Sequence, residues 1–400
     1  MFEVFCRIYQ FIMKISANFM PFRVPELLEG ENSLKKLPGT IKEKGISNVL
    51  IVTGSHISSM GLINNLLEGL NEKNIKYAIY NKTTPNPTID NIEEALLVYK
   101  QNKCEGIVAF GGGSPMDCAK GIAARVARPN KTIPQMKGLL KVHKRIPFLF
   151  AVPTTAGTGS ETTVAAVVRD STTNEKYSIT DMSLIPHVAV LDPALTLNLP
   201  PHITASTGMD ALCHAVEAYI GRSNTKDTYA YARKAIKLIF DNLYEAYSNG
   251  SNIEARAKMQ KASFYAGLAF TRAYVGYVHA IAHTLGGFYS MPHGLANAVI
   301  MPYVFEFYGN NAGKALAELA DLIEIGEIND SQEEKTGKFI DAIKNLNKSM
   351  DIPDKISGIK EEDIPTMAQR AFKEANPLYP VPRIMTKEDI ISIYYKIKEG

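Results

Sequence analysis

The chain has 400 residues, of which 46% are hydrophobic and 21% charged, with a formal net charge of +3. This is the composition of an ordinary globular protein of two or three domains, and so small a charge, without any Lys/Arg block, gives no electrostatic basis for a nucleic-acid partner. The four cysteines, Cys6, Cys104, Cys118 and Cys213, are scattered without a C-x-x-C pair. That pattern predicts free thiols in a reducing, cytoplasmic compartment and excludes a disulfide framework.

Residues 1–22 (MFEVFCRIYQFIMKISANFMPF) stand apart as an amphipathic helical extension, rich in Phe, Ile and Met. Glu3, Arg7, Gln10 and Lys14 interrupt any span-length apolar run, which argues against a transmembrane helix and leaves membrane-surface contact as the lesser alternative. The segment also lacks the basic start and small-residue cleavage site of a signal peptide. Docking on the protein itself or on a neighbouring subunit is the expected role.

From residue 23 to 201, short apolar runs alternate with helical patterns. Residues 48–53 (NVLIVT), 77–80, 106–110 (GIVAF), 148–152 (FLFAV) and 188–191 read as buried strands, with helices at 92–102 and 116–127 between them. Such alternation predicts a parallel sheet with helices on its faces. Strand 106–110 runs into 111–117 (GGGSPMD), where glycines let the backbone approach a pyrophosphate. Ser114 is expected to cap the following helix, with Pro115 at its first position and Asp117 completing a capping box. The helix N-terminus then presents N–H groups to phosphate. A second loop, 153–161 (PTTAGTGSE), follows strand 148–152 and places hydroxyls and glycines where open α/β sheets bind ligands. Together the two loops predict a dinucleotide.

Prolines 186, 193, 200 and 201 punctuate the chain, after which strand patterns fade and helical runs such as 227–247 and 252–273 take over. The expected organisation is therefore a 23–201 α/β dinucleotide-binding domain followed by an all-α domain over 202–400. In the second half, Asp210 and His214 lie four apart in a helical run, which stacks them on one face; His279 and His283 repeat the spacing, and His293 follows in Pro-His-Gly. A lone histidine on an apolar helix is ordinarily a hydrogen-bonded core residue. Two such pairs and a fourth histidine instead suit a divalent first-row metal held by Asp210, His214, His279 and His293, with a position open to a substrate oxygen. Cys213, between the first two, reads as a small core residue pointing elsewhere.

GGGSPMD, PTTAGTGSE and the Asp210/His214/His279/His293 set, with HAIAHTLGGFYSMPHG around the last two histidines, resemble the iron-containing (group III) alcohol dehydrogenases over nearly the whole chain after residue 23. The resemblance implies the fold that family shares with dehydroquinate synthase. It further implies Fe2+ on the four ligands, with Zn2+ as an alternative, and dinucleotide contacts from Gly112, Gly113, Ser114, Asp117, Thr154, Thr155 and Thr158. By similarity Asn86, Lys176 and Leu195 line the same cleft, and His283 lies near the metal as a substrate-side or proton-relay group. A homo-oligomer is the family's usual form.

One departure bears on the cofactor. NAD-preferring members carry an acidic residue after the first strand, whereas this chain has Gly54 and Ser55 there, with room and donors for a 2′-phosphate. NADP(H) is therefore expected to be accepted, with NAD(H) as the alternative. The implied reaction is hydride transfer between the nicotinamide and a small primary alcohol or diol, yielding its aldehyde. Two rivals are weighed against it. A glycerol dehydrogenase- or dehydroquinate synthase-like reaction on the same scaffold is one; the latter needs a basic pocket that the helical half does not show. A non-catalytic metal- or nucleotide-binding assembly protein is the other, and the intact ligands and loops argue against it. Substrate choice is expected from side chains around 264–277 and Tyr379.

Overall fold

A computed structural model describes residues 1–173 and 175–399. The chain divides into two compact units, one spanning Pro21–Asn198, the other combining Leu199–Gly400 with Met1–Met20.

The first unit is built on a six-stranded sheet, parallel throughout. Its spatial order is Glu26–Glu29, Val188–Leu191, Phe148–Pro153, Gly106–Gly111, Asn48–Val52 and Lys76–Tyr80. The central strands are continuous apolar runs because both faces are covered, as in doubly wound sheets. Leu50, Val52, Ile107 and Ala109 pack under the helices of one face, while Val49, Ile51, Val108 and Phe110 pack under those of the other. The five strands read from sequence are present. Missing from that reading were Glu26–Glu29, an edge strand of charge–apolar–apolar–charge pattern, and a small second sheet of Gly138–Leu139, Ala165–Arg169 and Lys176–Thr180.

The order reverses once. After Asn48–Val52 the chain moves outward to Lys76–Tyr80, then returns to add Gly106–Gly111 on the other side of the first strand. The carboxyl ends of Asn48–Val52 and Gly106–Gly111 therefore flank the topological switch point, where an open parallel sheet leaves a crevice for ligand. Gly54 follows one of these strands and Gly112 the other.

The second unit is helical: among the described residues no named strand follows Leu191. Helix Pro201–Ile220 is buried over nearly all of its last four turns. Helices Lys226–Ser248 and Ile253–Ala273 pack against it, and helices Tyr277–Tyr289 and His293–Tyr308 follow. Thr225 caps the second of these with a reciprocal box to Thr228, and Asn252 caps the third through Ala255 N–H. The N-terminal helix Phe2–Asn18 belongs to this unit: Arg7 donates to the carbonyls of Val381 and Pro382, and Gln10 to those of Pro377 and Tyr379. No helix among the described residues is long and apolar enough to cross a membrane.

Candidate active site

In the first unit the two loops predicted from sequence meet. The helix after Gly106–Gly111 runs Gly113–Ala127, and Gly112 is its N-cap, with no side chain bonded to the first turn. The expected Ser114–Asp117 capping box is not formed. Ser114 lies inside the helix, where its Oγ accepts the Asn86 backbone N–H at 3.3 Å, and Pro115 falls third rather than first. The reason is crowding: a Cβ on Gly113 would stand 3.0 Å from Thr158 Cγ2, and one on Gly112 3.3 Å from Thr155 Oγ1. Glycine suits the start of this helix because the second loop lies close against it. Thr154 N–H also donates to Gly111 O at 3.1 Å, tying the two loops together at the strand ends. The first turn thus keeps its backbone donors and positive dipole end for an anion.

Lys120, two turns into this helix, is fully buried and fastens the hydroxyl loop to it. Its ammonium donates to Ser160 Oγ, Thr163 Oγ1 and the carbonyls of Thr163 and Ala165, all within 3.1 Å. Burial pulls the Lys120 pKa down, opposed by the carboxylates of Asp117 and Glu161. Burial likewise raises Asp117, against the pull of Lys120, the Val167 N–H and Lys176. Asp117 therefore faces the protein beneath the cradle instead of capping its helix. Lys176 starts a strand of the small sheet and is exposed, and Leu195 is packed in the core with Phe150 and Val188. Gly54 adopts an extended backbone (φ −96°, ψ 157°), which any residue tolerates, and a Cβ there would meet Thr83 O at 3.5 Å. The turn does not require glycine, so the position is open to a side chain and none is present.

In the second unit, three helix segments bring four donors together. Helix Pro201–Ile220 supplies Asp210 and His214, Tyr277–Tyr289 supplies His279, and His293 is the first residue of His293–Tyr308. Their ligand atoms all lie within 4.8 Å of one another. Asp210 Oδ1 stands 3.9 Å from His279 Nε2 and 3.5 Å from His293 Nε2, and its Oδ2 is 4.0 Å from His214 Nδ1. The His214 ring stacks on Phe270 at 4.1 Å, which fixes its plane. Gly294 permits the assembly: a Cβ there would strike Ser206 O at 2.2 Å, so any other residue would push His293 away from Asp210.

Two further residues, Glu217 and Asn297, hold this set, and a third, Glu374, holds His283; none of the three was singled out in the sequence. Glu217, one turn beyond His214, is buried and accepts from His279 Nδ1 at 2.6 Å, Gly276 N–H at 2.7 Å and Val278 N–H at 2.9 Å. It fixes the His279 tautomer with Nε2 facing Asp210. Burial pushes the Glu217 carboxyl up to about 8, while its backbone donors hold it down. Burial also lowers His279 well below the usual imidazole range, so the ring is neutral, the form that lends a nitrogen to a cation. Cys213 does not point away as expected: its Sγ lies 3.7 Å from His279 Nδ1, on the side away from Asp210. Asn297, a turn after His293, aims its amide nitrogen at Asp210 Oδ1 (2.8 Å), His293 Nε2 (3.1 Å) and His279 Nε2 (3.3 Å). Glu374 accepts from His283 Nδ1 at 2.6 Å and from Tyr379 Oη at 2.9 Å. His283 is half-buried, its ring stacked 5.0 Å from that of His293.

These two constellations coincide with two family models. Residues 25–193 match the model described as iron-containing alcohol dehydrogenase, and residues 204–398 match the C-terminal model of the same family. The chain belongs to the iron-containing alcohol dehydrogenases. Alcohol dehydrogenase 4 of Saccharomyces cerevisiae is 40% identical over 374 residues, covering 92% of this chain and 96% of that one. Among solved structures, a 1,3-propanediol oxidoreductase aligns with a TM-score of 0.91 at 37% identity, over 94% of this chain and 99% of its own. A sulfoacetaldehyde reductase from Bifidobacterium kashiwanohense, solved with NAD+, aligns with a TM-score of 0.84 at 27% identity, over the same shares. As a member of the family this chain is an oxidoreductase that uses iron and a nicotinamide dinucleotide. Both matched models leave the N-terminal helix outside their bounds.

Proposed function

We propose that the protein interconverts a small primary alcohol or diol and its aldehyde. Asp210, His214, His279 and His293 hold Fe2+ in this reading, and the two glycine- and hydroxyl-rich loops hold NADP(H), with NAD(H) also accepted. The observation that carries the metal assignment is the Asn297 amide. Asp210 Oδ1, His279 Nε2 and His293 Nε2 all lie within 3.3 Å of its one NH2 group, which has two protons for three acceptors, so a cation among them would satisfy what the amide cannot. Three imidazoles and one carboxylate suit Zn2+ as well as Fe2+. When bound, the metal would supply Lewis acidity that acidifies the alcohol or polarises the aldehyde, and the nicotinamide would accept or return the hydride.

The chain's own residues do the remaining work. Glu217 keeps His279 Nδ1 occupied, so that only Nε2 faces the cluster. Glu374 does the same for His283, leaving His283 Nε2 to take the hydroxyl proton in oxidation and pass it to solvent; the carboxylate stabilises the resulting imidazolium. Tyr379, bonded to the same carboxylate, orients it. Gly112 and Gly113 admit the pyrophosphate to the helix N-terminus, with Thr154, Thr155 and Thr158 on the facing loop. Asn86, held by Ser114, and Lys176 border that cradle, while Leu195 supports it from the core. Gly54 and Ser55 leave room and donors for a 2′-phosphate. The four cysteines are free and buried, which suits a reducing, cytoplasmic setting.

The test is aldehyde reduction by purified protein loaded anaerobically with Fe2+, beside a chelated sample, with NADPH and NADH in parallel across a short-chain aldehyde panel. Metal-dependent oxidation of NADPH is expected. A clear preference for NADH would sink the Gly54–Ser55 assignment alone; no turnover of any aldehyde would sink the reading.

A further inference from the structure

The N-terminal helix is amphipathic the wrong way round. The side it lays on the helical unit carries Cys6, Arg7, Gln10 and Lys14; Cys6 is 0% exposed and Gln10 5%. The opposite side carries Phe5, Ile8, Ile12, Ile15 and Phe19, exposed by 55%, 56%, 56%, 44% and 84%. A helix that served only to cover its own core would turn its apolar stripe inward. This one spends its polar groups on backbone carbonyls of the protein and leaves its large hydrophobic side chains in solvent.

The spacing of the stripe identifies its occupant. Phe5, Ile8, Ile12, Ile15 and Phe19 follow one another at intervals of three, four, three and four. That is the 3.5-residue repeat of a coiled-coil seam, with Val4 and Phe11 flanking it. With full side chains of ~200 Å2, these seven residues expose on the order of 800 Å2 of apolar surface. Monomeric proteins rarely leave more than a few hundred Å2 in one patch, and a stable protein interface buries about 800 Å2 from each partner. A lipid surface fits less well. Both cations of the helix turn inward, Arg7 to the Val381 and Pro382 carbonyls and Lys14 to that of Arg222, leaving none on the apolar side to meet anionic headgroups.

We infer that the N-terminal helix is a self-association element, pairing with the same helix of a second copy of this chain along the Phe5/Ile8/Ile12/Ile15/Phe19 seam. The contact is isologous, so one stripe suffices for both partners. An isolated helix of this length would be marginal in water, but here the polar side has already anchored it, so pairing does not bear the cost of forming the helix. This inference stands apart from the reaction, since no residue of the seam belongs to either constellation above.

Two variants of the full-length protein test it. Ile8→Glu together with Ile12→Glu places charge in the middle of the seam at exposed positions, where the fold tolerates it; retained aldehyde reduction shows that the variant is folded. Its sedimentation-equilibrium mass is expected to fall to half that of the unaltered chain. Ile12→Cys, at the centre of the seam in a chain whose other thiols are all buried, is expected to form an interchain disulfide on mild oxidation. An unchanged mass in the double variant overturns the proposal, as does Ile12→Cys remaining monomeric on a non-reducing denaturing gel. Flotation of the unaltered chain with phosphatidylglycerol vesicles, lost in the double variant while the mass stays the same, would assign the stripe to a lipid surface instead.

Discussion

The glycine loop at 111–117 and the cluster around Asp210 are both candidate sites for a charged ligand, but they are made differently. The loop uses consecutive residues and mostly backbone: a strand ends, glycines start a helix, and its first turn is left without a side-chain cap. The cluster uses side chains from three helix segments, and its geometry exists only after those segments pack. A backbone site is robust to side-chain changes but intolerant of any added Cβ. A side-chain site depends on every residue that orients its donors. The supporting residues differ accordingly: Lys120 braces the first by tying two loops together, whereas Glu217 and Asn297 act directly on the ligand atoms of the second.

The contrast can be tested most sharply at the cluster. Replacing Asp210 with Asn or His279 with Ala removes a ligand, and loss of the several kcal/mol that a Lewis acid contributes should lower kcat/KM by about 1000-fold. Bound iron, measured by elemental analysis after dialysis, should fall with it; full iron occupancy with full activity would show that these residues are not the ligands. Glu217→Gln keeps the shape but replaces the carboxyl behind His279 Nδ1 with a weaker amide acceptor, so metal affinity should weaken by about 10- to 100-fold with little change in melting temperature. Measurement by competition with a chelator would separate this from a purely structural role, which would shift stability and leave affinity alone.

At the backbone site the expected effects are smaller. Gly113→Ala drives a Cβ to 3.0 Å from Thr158, where the loop must give way. KM for the dinucleotide should rise by roughly 10-fold, about 1.4 kcal/mol, while metal content is unchanged. Gly54→Asp, at a position with extended backbone where a Cβ makes only van der Waals contact with Thr83 O, should fold normally and shift the NADH/NADPH ratio of kcat/KM toward NADH by roughly 10-fold through repulsion of a 2′-phosphate. An unchanged ratio would place cofactor discrimination elsewhere.

At Glu161, buried under the hydroxyl loop, the expected effect is on stability alone. Burial raises its carboxyl from 4.5 to about 7. The folded chain therefore keeps a proton that the unfolded chain releases, so stability is highest below the unfolded value and declines as pH rises toward 7. Glu161→Gln removes that decline, and the variant should gain about 3 kcal/mol relative to the parent between pH 4.5 and pH 8. Denaturant titrations at both pH values check this; parallel pH dependence in the two proteins would refute it.

Periodicity and composition alone located the parallel sheet, the switch to helices near residue 200 and both loops, because strand burial and turn chemistry are written in adjacent residues. The helical i,i+4 rule likewise put Asp210 beside His214 and His279 beside His283. The sequence did not reveal the Glu26–Glu29 edge strand, too short and too charged to stand out, or the small second sheet. It also misplaced the helix start at Ser114, since only the approach of Thr155 and Thr158 explains why glycine comes first.

What the sequence by itself determined, then, is on which local elements the candidate ligands and loop residues stand. Tertiary structure decided which of them meet and what holds them. Glu217 reaches His279 across 62 positions of chain, and Glu374 reaches His283 across 91. The same division applies to the N-terminal helix: its heptad spacing is written in the chain, but only packing shows that the polar side faces the protein and the apolar side faces out. Spacing fixes the faces of a single helix, whereas the direction a face takes depends on contacts between distant segments that no local pattern records.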